Sequence, residues 1–408
     1  VKTAVNLPLL WTKKTTLAPL NGTNIKIPFH IPYLSGKETD YLAQVIRERY
    51  MSGDGAFTEK VSAWWTSYLE AKGVLLTTSC THALEMAALL LDIEAGDEVI
   101  MPSFTFVSTA TAFVLRGARI VFVDIDPATM NISPGAIEAA ISPRTKAIVV
   151  MHYAGIGCEM APIMALAEQY GLAVVEDAAH CPGAYYQGRH LGTFGKLGSF
   201  SFHDTKNIHC GEGGALIIND ERYLQRAGIL REKGTNRKQF LQGMIDRYTW
   251  VDIGSSYAPG ELKAAFLYAQ VSELEEVNRH RLALWNRYRE WLEPLQTQGI
   301  LELPFVPDIC THNAHLFYIK CRDKAERSSL ITFLKARGIG SAFHYIPLHS
   351  SPAGLKYGFF HGEDRFTTKE SERLLRLPLY YDLGLEEVEE VVEGVTDFYG
   401  KSQSIFLQ

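Results

Sequence analysis

The chain has 408 residues, 47% apolar and 21% charged, with a net charge of -6, so it can bury a sizeable core in two or three domains. The acidic balance and the lack of a long basic run exclude a nucleic-acid footprint. Six scattered cysteines (Cys80, Cys158, Cys181, Cys210, Cys310, Cys321) have neither metal-ligand nor disulfide-scaffold spacing, which fits a reduced, cytosolic chain.

At the N-terminus, Asn6 and Pro8 interrupt the stretch where a signal peptide would stay apolar. No apolar run approaches the ~20 residues of a transmembrane helix. A cytoplasmic protein without a membrane partner is therefore expected. The chain opens on Val1, and residues 1–26 are set aside as an N-terminal extension. Residues 38–49 have helical spacing, Met51-Ser-Gly-Asp-Gly55 breaks it, and a second helix is predicted over 58–70 with Thr58 as N-cap. A short apolar strand over 74–77 precedes an Ala-, Leu- and Met-rich helix over 81–91, so the first strand-to-helix turn reads Thr78-Ser79-Cys80-Thr81.

Further strands are predicted over 98–101, 119–123, 147–151, 173–176, 198–202 and 214–218, with helices over 108–116, 134–141 and 162–170. Near-continuous apolar strands alternating with helices predict an α/β unit whose mostly parallel sheet is covered on both faces. Ligands in such sheets collect beyond the carboxyl ends of the strands. After Gly260 come one long charged helix over 261–295, a strand over 315–320, a helix over 328–337 and a last helix over 385–398. The expected division is a large unit of residues 27–270 and a smaller α+β unit of residues 271–408.

Two residues carry chemistry at the predicted strand ends. Asp177 closes Val174-Val-Glu-Asp177 and is followed by Ala-Ala-His180; Lys206 closes Phe202-His-Asp-Thr-Lys206. Alone, the first would read as a helix cap and the second as a solvated loop residue. Together they are what pyridoxal phosphate requires: an amine for its aldehyde and a carboxylate that keeps its ring nitrogen protonated. The Gly211-Glu-Gly-Gly214 turn that follows supports the pair. A nicotinamide enzyme would instead carry Gly-x-Gly-x-x-Gly where this chain has Thr-Ser-Cys-Thr.

Thr78-Ser-Cys-Thr81-His-Ala-Leu, Pro102-Ser-Phe-Thr-Phe106-Val-Ser-Thr, Glu176-Asp-Ala-Ala-His180, Phe200-Ser201-Phe-His-Asp-Thr-Lys206-Asn and Gly211-Glu-Gly-Gly214 stand in order along the chain. In these segments the chain resembles the DegT/DnrJ/EryC1/StrS family of nucleotide-sugar aminotransferases, from about Ile27 to the C-terminus. The resemblance implies the fold type I, aspartate aminotransferase-like architecture and a homodimer or larger assembly. It gives Lys206 the covalent and proton-shuttle roles and Asp177 the ring nitrogen. Phe106 would stack on the ring, Cys80, Thr81 and Ser201 would hold the phosphate, and His180 would reach the phenolic oxygen.

His180 stands where the subgroup most like this chain tends to carry glutamine, although histidine occurs elsewhere in the family. Relatives often place an asparagine before the long helix to reach the partner subunit's phosphate; Gly254 to Gly260 has none, which leaves Ser255 or Ser256. Asn236, Arg237, His315, Tyr345 and His349 are candidates for the substrate side. Segments such as Gly53-Asp-Gly55, Phe343-His-Tyr-Ile-Pro-Leu-His349 and His361-Gly-Glu-Asp-Arg365 narrow the resemblance to a subgroup that uses L-glutamate and a dTDP-linked 4-keto-6-deoxy sugar. Related sugar dehydratases replace the lysine by histidine, so the intact Lys206 favours transamination over that alternative and over a non-catalytic cofactor-binding regulator. Another nucleotide-linked keto sugar is the nearer alternative.

Overall fold

The apolar runs form strands β1 (Gly73–Thr77), β2 (Glu98–Pro102), β3 (Arg119–Val123), β4 (Thr145–Met151) and β5 (Ala173–Asp177). They continue with β6 (Tyr185–Tyr186), β7 (Arg189–His190), β8 (Leu197–Ser201), β9 (Gly214–Ile218), β10 (Cys310–Thr311), β11 (Phe317–Lys320), β12 (Gly358–Phe360) and β13 (Leu374–Leu377). The structure is a computed structural model that describes residues 25–241 and 243–406. Residues 1–24 of the expected extension lie outside the described residues.

Eight strands make one sheet in the order β1-β9-β8-β5-β4-β2-β3-β12. Every neighbouring pair from β8 to β12 is parallel, and β9 runs antiparallel between β1 and β8. Strand β4 shows why its strands read as continuous apolar runs. Ile148 and Val150 pack into one core and Ala147 and Val149 into another, and all four are fully buried. The α/β sheet, mixed and mostly parallel, places the carboxyl ends of β5 and β8 side by side, with Asp177 paired to Ser199.

The second helix begins at Ala56, two residues before the predicted start, and its N-cap is Gly55. Thr58 is no cap. Glu261 supplies the carboxylate instead, accepting from the amides of Gly55 (3.0 Å), Phe57 (2.8 Å) and Thr58 (3.1 Å). A buried acid at a helix start satisfies orphan N–H groups and the positive dipole end together, a long-range contact invisible to local spacing.

The helix predicted over 261–295 is two helices, Glu261–Val271 and Leu274–Thr297, parted at Ser272 and Glu273. No glycine or proline marks the break, whereas Pro294 sits inside the second helix. Beyond it, β11 and β13 pair antiparallel beneath the helices Lys324–Ala336 and Leu385–Phe406, around Phe317, Ile319, Leu334 and Val391. Strand β12 leaves this part of the chain and extends the large sheet beside β3, although it falls within the expected unit of residues 271–408.

Candidate active site

A cavity of about 760 Å³ opens between the carboxyl ends of β5 and β8, the start of the helix Cys80–Leu90, and the segments 342–345 and 376–379. It gathers Cys80, Thr81, Phe106, Asp177, His180, Ser201, Lys206, His315 and Tyr345 from the expected residues. Phe106 is 54% exposed at the head of the helix Val107–Val114, so its ring faces the cavity unlike the buried Phe104 beside it.

Asp177 ends β5 and is buried. It accepts from the Thr109 hydroxyl at 2.6 Å and the Ala179 amide at 3.2 Å. Burial pushes its carboxyl up, while these two donors and the nearby Lys206 pull it down. Lys206 lies in a turn held by its own amide donating to His203 O at 2.9 Å. Burial lowers its amine to about 8 from the usual 10.5. A buried amine that readily gives up its proton can act as both nucleophile and base.

The helix start is built for an anion. Ser79 caps it by accepting from the His82 amide at 3.1 Å, and the amides of Cys80 and Thr81 have no carbonyl a turn earlier to serve. The hydroxyls of Thr81, Ser108 and Ser201 line the same end, with Thr81 donating to Ser108 at 2.7 Å. Gly214 begins β9 against this turn. A Cβ there would lie 2.3 Å from Cys80 N, so only glycine allows the strand so close.

Histidines fill the opposite wall, and the partners of His180 and His315 fix their tautomers. The Ala154 amide donates to His180 Nδ1 at 3.3 Å, which leaves the proton on Nε2, 3.4 Å from the Tyr345 hydroxyl. Asn207 spends its Nδ2 on Asn278 and Asn313, so its Oδ1 accepts from His315 Nδ1 at 3.0 Å and bares His315 Nε2. His344 bonds the Tyr153 hydroxyl through Nδ1 at 2.8 Å and stacks on Tyr345 at 3.7 Å. Burial holds all three well below 6.5, so they line the amine as neutral dipoles. Tyr345 adopts a left-handed backbone (φ 41°), a strained conformation for a bulky residue, tied down by Ser371 Oγ donating to its carbonyl at 2.8 Å.

Five expected residues lie elsewhere. The ring of His349 is bound by Ser103 Oγ at 2.7 Å and Asp364 at 3.3 Å, which draws it away from the cavity lining. Asn236 turns its Oδ1 to the Thr249 amide at 2.7 Å, and Arg237 is exposed at the head of the short helix Arg237–Leu241. Ser255 and Ser256 are exposed and contribute nothing to the cavity of their own chain. The sequence reading missed His344, Arg376, Ser108, Thr109 and Phe29. His344 stood inside a quoted segment, but nothing in spacing distinguished it from His349.

The DegT/DnrJ/EryC1/StrS aminotransferase family profile matches residues 32–396. The chain belongs to this family. The spore coat polysaccharide biosynthesis protein SpsC of Bacillus subtilis is 33% identical over 382 residues, covering 91% of this chain and 96% of SpsC. Among solved structures, the aminotransferase TlmJ from Streptoalloteichus hindustanus aligns at a TM-score of 0.84 and 29% identity, covering 93% of this chain and 100% of TlmJ. NtdA from Bacillus subtilis, with the cofactor PMP bound, aligns at 0.80 and 30% identity, covering 89% of this chain and 81% of NtdA.

The protein is thus a sugar aminotransferase with the fold of the pyridoxal phosphate-dependent enzymes, and pyridoxal phosphate is its cofactor. The residues fit that group: a buried amine, a buried carboxylate at a strand end, unserved amides with hydroxyls for a phosphate, and an aromatic face open to the cavity. Lys206 then makes a prediction. Only the neutral amine attacks the aldehyde, so covalent loading of apoprotein should quicken about tenfold per pH unit below 8 and level off above it. Stopped-flow absorbance reads this directly. A slope that persists up to an ordinary lysine's 10.5 would contradict the buried, lowered amine.

Proposed function

We propose that the protein transfers the amino group of L-glutamate to dTDP-4-keto-6-deoxy-D-glucose, giving dTDP-4-amino-4,6-dideoxy-D-galactose and 2-oxoglutarate. Such an amino sugar belongs to cell-surface polysaccharides of the enterobacterial common antigen type. The observation that carries the reading is that the subgroup segment Phe343 to His349 delivers Phe343, His344 and Tyr345 to the cavity that holds Lys206. SpsC, named for polysaccharide biosynthesis, supports the same product class.

Pyridoxal phosphate, when bound, supplies the electron sink for the bond broken at the donor's α-carbon and carries the amino group between the two half-reactions. Lys206 takes the proton from that α-carbon and, in the second half, returns one to C4 of the sugar. Asp177 holds a proton on the ring nitrogen. His180, with its proton on Nε2, donates toward the phenolic oxygen. Phe106 fixes the ring plane, and Cys80, Thr81 and Ser201 hold the phosphate.

The reading includes a homodimer or larger assembly. Asn236, Ser255 and Ser256 sit on an exposed excursion that also carries Met244 (68% exposed) and Trp250 (75% exposed). A dianionic phosphate needs more donors than one helix start offers, and these residues would supply them to the partner's site. The test is an assay of purified holoenzyme with L-glutamate and a panel of nucleotide-linked keto sugars, with product NMR and sedimentation of the same preparation. The dTDP-linked 4-keto sugar should be preferred, with an axial amine at C4, from a dimer or larger. An equatorial C4 amine, amination at C3, preference for a UDP-linked sugar, or an active monomer would each overturn its part of the proposal.

A further inference from the structure

Arg327 brings a guanidinium without a counter-ion to the mouth of the active-site cavity. It sits near the start of the helix Lys324–Ala336, with its guanidinium over the ring of Phe343, 5.5 Å from the centroid. Phe343 lines the cavity and is 49% exposed, so the pair stands where the cavity meets solvent. The Arg327 Nε is buried with no hydrogen-bond partner, and Nη2 reaches Ser328 Oγ only at 3.5 Å, beyond a firm hydrogen bond. The two acids nearest in its helix turn are spent. Asp323 accepts from the Glu326 amide at 2.9 Å and from Arg322 at 3.1 Å, and Glu326 accepts from the Arg322 amide at 3.0 Å and the Tyr399 hydroxyl at 2.9 Å. Among the described residues Arg327 makes no ion pair.

A partly desolvated guanidinium without a protein acid takes its anion from a ligand. The cavity of about 760 Å³ must take the cofactor and the sugar, which leaves the nucleoside diphosphate of a nucleotide-linked substrate at its mouth. A sugar that meets Lys206 with C4 turns C1, and the pyrophosphate on it, to the far side of its ring. Charge then chooses between the rims. On one, Asp204 and Glu212 flank His203 at 2.9 and 3.6 Å, and two carboxylates repel an anion. On the other, Phe343 carries the unpaired guanidinium. Arg376, the other arginine at Phe343, is close enough to Lys206 to disfavour its protonated form, which keeps it at the reacting end of the cavity.

We infer that Arg327 binds the pyrophosphate of the nucleotide-linked substrate, with the Phe343 ring holding its planar guanidinium at the mouth of the cavity. The inference rests on the reading of the keto sugar as nucleotide-linked. The test titrates dTDP and UDP into holoenzyme of the wild type, Arg327→Met and Arg327→Lys by calorimetry. Both diphosphates should bind the Met variant about 10- to 100-fold more weakly, the loss of a charge-assisted contact, with partial recovery in the Lys variant. The keto-sugar half-reaction, followed by cofactor absorbance, should need a correspondingly higher sugar concentration at an unchanged limiting rate, because the pyrophosphate is held alike before and during the reaction. The L-glutamate half-reaction should stay as in the wild type, and this also shows that the variant folds. Unchanged diphosphate binding in Arg327→Met, a loss confined to one of the two bases, or an equal loss in the L-glutamate half-reaction overturns the inference. A wild type that binds neither diphosphate overturns instead the nucleotide-linked substrate proposed above.

Discussion

Lys206→Ala protein should hold no borohydride-fixable adduct and should lose transaminase turnover by about three orders of magnitude or more. Among the described residues lining the cavity Lys206 is the one primary amine, so no neighbour among them can take over its covalent bond. The proton shuttle disappears with it, because burial holds the three histidines of the opposite wall well below 6.5 and leaves them weak bases. Removing a buried amine leaves space and no stranded partner, so the protein should still fold and still bind pyridoxal phosphate through Cys80, Thr81 and Ser201. Mass spectrometry of the reduced, digested protein decides the matter. The same adduct on another peptide would refute the assignment.

Asp177→Asn should keep the cofactor and slow turnover by several orders of magnitude. The substitution keeps the shape: its one Oδ1 still accepts from the Ala179 amide, and its NH2 can donate to the Thr109 hydroxyl, which reverses its role, so the residues proposed for the phosphate and for stacking stay in place. What goes is the charge. Without it the ring nitrogen loses its proton, and the electron pair released at the donor's α-carbon has nowhere favourable to go. Burial alone pushes the Asp177 carboxyl up, and a cationic ring nitrogen beside it would hold it ionised as the nearby Lys206 already helps to do. Near-normal single-turnover rates in this variant, with cofactor shown to be bound by absorbance, would mean that another group pairs with the ring.

Much of this protein is legible without coordinates. Residues 119–123 and 214–218 appear as strands with the predicted bounds, because beyond the exposed Arg119 both are buried on both faces and read as apolar runs. Asp177 is legible because it ends β5 and the apolar run before it marks that end, whereas Lys206, expected at a strand end, lies in a turn beyond Ser201, the last residue of β8. The helix expected over 81–91 runs over Cys80–Leu90, one residue earlier, and Ser79 of the quoted turn caps it.

What the tertiary structure alone decides is placement across long stretches of chain. Strand β12 has three residues and no periodicity, and only the open edge of β3 makes it a strand. Glu261 caps a helix that begins at Ala56, and no local rule connects the two. Ser103 and Asp364 draw His349 aside, whereas His344 is brought beside the amine with Tyr345 in a strained turn. Histidines five residues apart in one segment thus meet opposite fates. Arg376 reads in sequence as one more charge among leucines, and it lines the cavity only because β13 turns it away from the core beside Ala342. Local propensity and chemistry set which elements form and which residues can react. The long-range packing sets which side chains they meet, because burial, hydrogen-bond satisfaction and charge pairing are settled between residues far apart in the chain.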